Sequence, residues 1–174
     1  MKRTMSLVLY DNNWKQHFEV IKDTLKDIFS DKCIDIHHIG STAIPGMPAK
    51  PIIDVMVTVH HINSVDALNE IMEKAHYTPR GENGIPGRRY FQKLACDGIN
   101  HIEHIHCFEH DNPLVKDHLM FRDYLMIDKD AFDEYRAVKT EAAKLYPLDP
   151  SKYTEYKFDC IMRILKEART YFLV

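Results

Sequence analysis

No Gly-x-x-x-x-Gly-Lys-Ser/Thr loop, no Gly-x-Gly-x-x-Gly turn and no Gly-x-Ser-x-Gly elbow occurs in the 174 residues. That sets aside Walker-type kinases, Rossmann dehydrogenases and α/β-hydrolases. None of the four cysteines, Cys33, Cys96, Cys107 and Cys160, forms a Cys-x-x-Cys pair. A zinc ribbon is therefore not expected, and free, buried thiols in a reducing compartment are. No apolar run approaches the ~18 residues of a membrane span. The apolar part of the opening MKRTMSLVLY is too short for a signal peptide, so a cytoplasmic protein with no membrane partner is expected. A basic excess is missing too. The formal net charge of −3 argues against a sequence-independent nucleic-acid binder. There is no repeat, low-complexity tract or linker, so residues 1–174 are expected to form one domain with a real core.

What the chain does have is histidine, eleven in all. His37 and His38 stand beside a Gly-Ser step, and His101, His104, His106 and His110 share one later stretch.

Trp14, Phe18, Ile21, Leu25 and Ile28 recur at four-three spacing and predict an amphipathic helix over 12–29. Two nearly continuous apolar runs, 34–39 and 52–59, read as central strands covered on both faces. Ser64 can cap a helix over 65–75. Residues 78–89 carry the glycines and prolines of a turn-rich loop. Strands over 89–95 and 101–108 follow, joined by an Asp-Gly hairpin step. Helices are expected over 113–127, 130–146 and 151–172, with Pro113 in a first turn and Ser151 as a cap. This order gives an α+β domain with C-terminal helices on one side or at one end of the sheet.

The chemistry centres on residues 34–57. A Gly40-Ser41 turn leaves backbone N–H groups able to hold an anion. Asp54 stands inside an Ile/Val-rich strand, where a carboxylate is costly unless paired or bound to metal. Strand alternation puts Asp54, Met56 and Thr58 on one face. It also puts His104 and His106 together, with His101 and Glu103 on the opposite face. Two imidazoles at that spacing can bind a metal or donate to phosphate. Lys50 offers a point charge for phosphate, and one of Arg88 and Arg89 can fork onto it, only one of the two being able to face the site. Arg122 and Asp123 are either an exposed pair or support for the site.

The stretch His38-Ile39-Gly40-Ser41-Thr42-Ala43-Ile44-Pro45-Gly46, followed by Ala49-Lys50-Pro51-Ile52-Ile53-Asp54, resembles the signature of the GrpB family. So do Glu103-His104-Ile105-His106, Leu119–Leu125, and the later Tyr135, Lys139, Tyr153 and Lys157. The resemblance runs over nearly the whole chain. It implies a nucleotidyltransferase-like fold of the polymerase-beta type, a mixed sheet packed with helices. Some members are joined to a dephospho-coenzyme A kinase domain, for which this chain is too short.

That superfamily places two metal ions on an Asp-x-Asp/Glu pair and a later carboxylate. Here Gly40, Ser41 and Asp54 match. The second carboxylate position is Met56, which has no oxygen for Mg²⁺, and the later strand offers His104 and His106. The resemblance thus implies Asp54, His104 and His106 as catalytic and metal-binding residues. Gly40, Ser41, Thr42, Lys50 and Arg89 would hold a nucleotide triphosphate or phosphorylated small molecule. The divalent metal would be Mg²⁺, Mn²⁺ or Zn²⁺, with imidazoles favouring a transition metal. Three functions fit: nucleotidyl or phosphoryl transfer, nucleotide binding without catalysis, and metal-dependent phosphoester hydrolysis.

Overall fold

The structure, a computed structural model, describes residues 6–173. The first five residues of the MKRTMSLVLY stretch, and Val174, lie outside them. Among the described residues no helix is long and apolar enough to cross a membrane.

Helix α1 (Asn13–Phe29) buries Trp14, Phe18, Ile21 and Leu25, as the spacing requires. Phe29, one turn beyond Leu25, is as fully buried as Leu25, while Ile28 is only partly buried. Strands β1 (Cys33–Ile39) and β2 (Ile53–Val59) are antiparallel. A 3₁₀ turn, Ile62–Leu68, leads into α2 (Asn69–Lys74) where one longer helix was expected. The Ser64 hydroxyl bonds back to the His61 carbonyl at 2.7 Å, as Ser does within a turn, and so caps nothing. A short β3 (Thr78–Pro79) opens the expected loop, and β4 (Arg89–Leu94) and β5 (His101–Glu109) follow.

The sheet order is β1-β2-β5-β4-β3. The β2–β5 pair is parallel and central, and the remaining pairs are antiparallel. Burial of both sheet faces accounts for the nearly continuous apolar run of β2, in which only Asp54 is less than fully buried. On one face Ile53, Val55, Val57, Val59, Ile105 and Cys107 pack against α1. On the other, Met56 joins Ile39, Phe108 and Val115 under α3 (Pro113–Ile127).

Helix α4 (Lys129–Leu145) is capped by the Asp128 side chain, which accepts from Ala131 N at 2.8 Å. The expected helix over 151–172 is two, α5 (Pro150–Tyr156) and α6 (Phe158–Phe172), separated at Lys157. Asp149, not Ser151, caps α5. The break turns the apolar stripe. Cys160, Ile164, Leu165 and Ala168 are buried, while Phe158 and Phe172 are exposed. All four cysteines are free, but Cys96 is exposed in the β4–β5 connection and Cys33 is half-buried.

Candidate functional site

Parallel register sets Asp54 directly beside His104, and Met56 beside His106. Side chains of like parity rise from the same face, so the carboxylate and both imidazoles meet. His104 Nδ1 is 3.0 Å from Asp54 Oδ1, and His106 Nε2 is 3.7 Å from the same oxygen. One ligand atom from each of the three lies within 4.8 Å of the others. Burial pushes the Asp54 carboxyl up, but hydrogen bonds and charge from His104 and His106 outweigh it, holding the group far below the usual carboxylate range. Asp54 is therefore an anion at neutral pH. Burial lowers His106.

His101 belongs to this cluster, contrary to the alternation. Its Nδ1 lies 2.8 Å from His104 Nε2. The ladder to β4 is irregular between Lys93 and Leu94, which pairs Leu94 with His101 and releases that residue from the strand's two-residue period. Glu103 stays on the α1 face, accepting from the Tyr77 hydroxyl and pairing with Lys93.

The Arg89 expectation needs correcting. Its guanidinium clasps Asp66, at 2.6 and 2.8 Å, on the opposite face of the sheet. Arg88 is the arginine at the site, with Nη1 3.3 Å from His106 Nδ1. Met56 is fully buried in the core, so it does not stand at the cavity as a missing ligand.

Beside Asp54 lies a cavity of about 210 Å³ lined by Gly40, Ser41, Thr42, Lys50, Asp54 and His104, and by residues of α4 and α5. Gly40 has φ 69° and ψ −174°, a conformation for glycine. Ser41 is hydrogen-bonded to the Tyr135 hydroxyl. Thr42 is structural in its contacts: its hydroxyl donates to the Ile52 carbonyl at 3.2 Å and meets His38 Nε2 at 3.0 Å. Arg122 supports the turn from α3, donating to the His38 carbonyl at 2.9 Å and to Asp123.

Lys139 and Lys157 line the same cavity, and residue-by-residue chemistry did not single them out. Lys139 is only 2% exposed and rests over the Tyr135 ring; Lys50 and Lys157 flank Tyr153. Burial, with Lys157 and Lys50 nearby, holds the Lys139 amine well below its ordinary value. Burial and Lys50 bring Lys157 down to about 8. A signal existed: Lys139 follows Tyr135 by four residues and precedes Ala142 by three, which puts a lysine in the apolar stripe of α4.

The fold is nucleotidyltransferase-like, a mixed sheet packed with helices. The solved structure of Cid1 in complex with its short product ApU superposes with a TM-score of 0.54 over 79% of this chain and 43% of that one. At 13% identity this likeness shows fold alone. The chain belongs to the GrpB family, described as GrpB protein, whose model matches residues 4–167. The crystal structure of GrpB from Enterococcus faecalis has a TM-score of 0.90 at 34% identity, covering 97% of this chain and 100% of that one. The UPF0157 protein YqkA of Bacillus subtilis is 41% identical over 168 residues, 97% of this chain. This chain spans only 48% of that relative's length.

Proposed function

We propose that this chain binds a nucleoside triphosphate, or a similar phosphorylated small molecule, between Asp54 and the three lysines. There it carries out metal-dependent nucleotidyl or phosphoryl transfer. The observation that carries this reading is Lys139. Its amine is buried and lines the cavity, yet it has no hydrogen bond or ion pair among the described residues. Burial and the neighbouring lysines disfavour its charge, and an anion in the cavity would restore it. Lys50, Lys139 and Lys157 face one aspartate across the cavity, and an oligophosphate entering there would hold the depressed Lys139 and Lys157 amines in their charged forms. Ser41 and the Gly40 turn stand at the rim of the same cavity.

The residues also fit a divalent ion. Ligand atoms around an ion with bonds of about 2.1 Å stand roughly 3–3.5 Å apart, as Asp54 Oδ1 and His104 Nδ1 do at 3.0 Å. His101 behind His104 supplies the outer partner that orients a ligating imidazole. A bound ion would neutralise phosphate charge beside Asp54. The chain's own residues do the rest: the lysines orient the phosphates, and Gly40 lets the chain pass close to Asp54. A second cavity of about 380 Å³ shares Gly40 and Tyr135 with the first. Its walls include Ile44, Leu114, Phe121 and Leu165, and an acceptor hydroxyl has room to enter from there.

Met56 favours a second reading, binding without transfer, because its burial leaves Asp54 as the only carboxylate in the cluster. Titration calorimetry with each nucleoside triphosphate, with Mg²⁺, Mn²⁺ or Zn²⁺, tests both. Wild type should bind, and Lys139→Met should bind about 10- to 100-fold more weakly, the worth of one charge-assisted contact. Without ligand, Lys139→Met should be more stable by about 1 kcal/mol, since a buried amine without a hydrogen-bond partner gives way to an apolar side chain. Equal affinity in the two proteins would sink the proposal. Binding without consumption of nucleotide selects the second reading.

A further inference from the structure

Arg88 is 5% exposed, and its guanidinium is fixed on three sides. Nε donates to the Glu82 carbonyl at 3.2 Å, Nη2 to the Asn83 carbonyl at 2.8 Å, and Nη1 meets His106 Nδ1 at 3.3 Å. The Tyr90 ring lies beneath it, 4.8 Å from the guanidinium carbon. A guanidinium has donors and no acceptor. The direction of the Arg88–His106 contact is therefore settled: His106 Nδ1 accepts, and no proton sits there. The ring's proton belongs on Nε2, the nitrogen that faces Asp54 Oδ1.

A ligating imidazole works the other way round. It offers a bare nitrogen to the ion and donates its remaining N–H outward, to a carbonyl, carboxylate or water. His104 has that arrangement available: an ion at Asp54 can replace the proton that Nδ1 donates to the carboxylate, and Nε2 can then donate to His101 Nδ1. Behind His106 stands a cation that can only donate.

We propose that Arg88 is a positioning residue that locks His106 in the Nε2–H tautomer, making His106 a donor facing Asp54 and not a metal ligand. Two protein ligands remain, Asp54 and His104. Structural and catalytic zinc sites take three or four protein ligands, whereas Mg²⁺ keeps waters and substrate oxygens around one or two carboxylates. Arg88 thus biases an otherwise histidine-rich cluster away from Zn²⁺ and toward harder ions. The tautomer lock stands on this chain's geometry alone; only its meaning for catalysis rests on the function proposed above.

Imidazole-¹⁵N-labelled protein, residues 1–174, studied by long-range ¹H–¹⁵N correlation, reads the tautomer with no nucleotide present. Wild-type His106 should show a protonated Nε2 and a bare Nδ1. In Zn²⁺ titrations, His106→Gln should change affinity by less than about 3-fold, and His104→Gln should lower it by about 10-fold or more. Arg88→Leu should raise Zn²⁺ affinity by about 10-fold, or create binding where wild type shows none. Should Arg88→Leu disturb the 82–88 loop, the wild-type spectrum and His106→Gln still decide. A protonated Nδ1 in wild type, or a 10-fold loss of Zn²⁺ affinity in His106→Gln, overturns the proposal. Failure to bind nucleotide would overturn the proposed function and leave this result untouched.

Discussion

A methyl group on Gly40 would lie 2.6 Å from Asp54 Oδ2, closer than any real Cβ contact. The turn and the carboxylate therefore exclude a side chain between them. The φ of 69° and ψ of −174° at Gly40 add a second reason, since that region is strained for any other residue by about 1–3 kcal/mol. Gly40→Ala should lower unfolding free energy by about that amount and also push the carboxylate off its position. Urea unfolding, paired with titration of Mn²⁺ and nucleoside triphosphate, checks this. Binding should fall at least 10-fold in protein that is still folded. A folded variant with unchanged affinity would separate the turn from the site.

Met56 stands where a second acid would complete an Asp-x-Asp/Glu pair, yet it is fully buried among Ile39, Phe108 and Val115. Met56→Glu should not gain a second metal. An unpaired carboxylate there should destabilise the protein by about 3–5 kcal/mol or take up a proton instead. Thermal melts give the stability, and calorimetry gives the stoichiometry, expected to stay at one ion per chain. A stable variant that binds two ions would show that the core yields at this position and that the two-metal arrangement is within reach.

Two half-buried histidines predict acid sensitivity. Burial lowers both His38 and His118 from the ordinary 6.5 to about 4. Such a group takes up its proton in the unfolded chain before it does so in the folded one. Its contribution to stability is whole above pH 6.5 and is lost as pH falls from 6.5 toward 4. By pH 5 the loss should be roughly 1–2 kcal/mol for each imidazole. Denaturant melts at pH 7.5 and pH 5 measure it. His118→Phe, which keeps a ring beside Phe108 and His106, should show a shallower pH dependence than wild type. Parallel dependences in the two proteins would remove His118 as a source.

Much of this protein is local in origin and legible from its chain. The period of α1, the two buried strands and the pairing of His104 with His106 on one face follow from side-chain spacing, which needs no partner to define it. The lone aspartate in an apolar strand announces a site for the same reason: its desolvation is costly in any fold that buries the strand. Three things were decided only by tertiary structure. The parallel β2–β5 register sets which imidazole stands beside Asp54. Alternation allows one of Arg88 and Arg89 to face the site, but the choice of Arg88 depends on the strand's pairing with β5 and on Asp66 waiting on the far side. The break at Lys157, and the packing of α4 and α5 over the Gly40 turn, bring Lys139, Lys157 and Asp54 around one cavity from positions distant in the chain. Periodicity tells which way a side chain points within its own element; only register and packing tell what it meets.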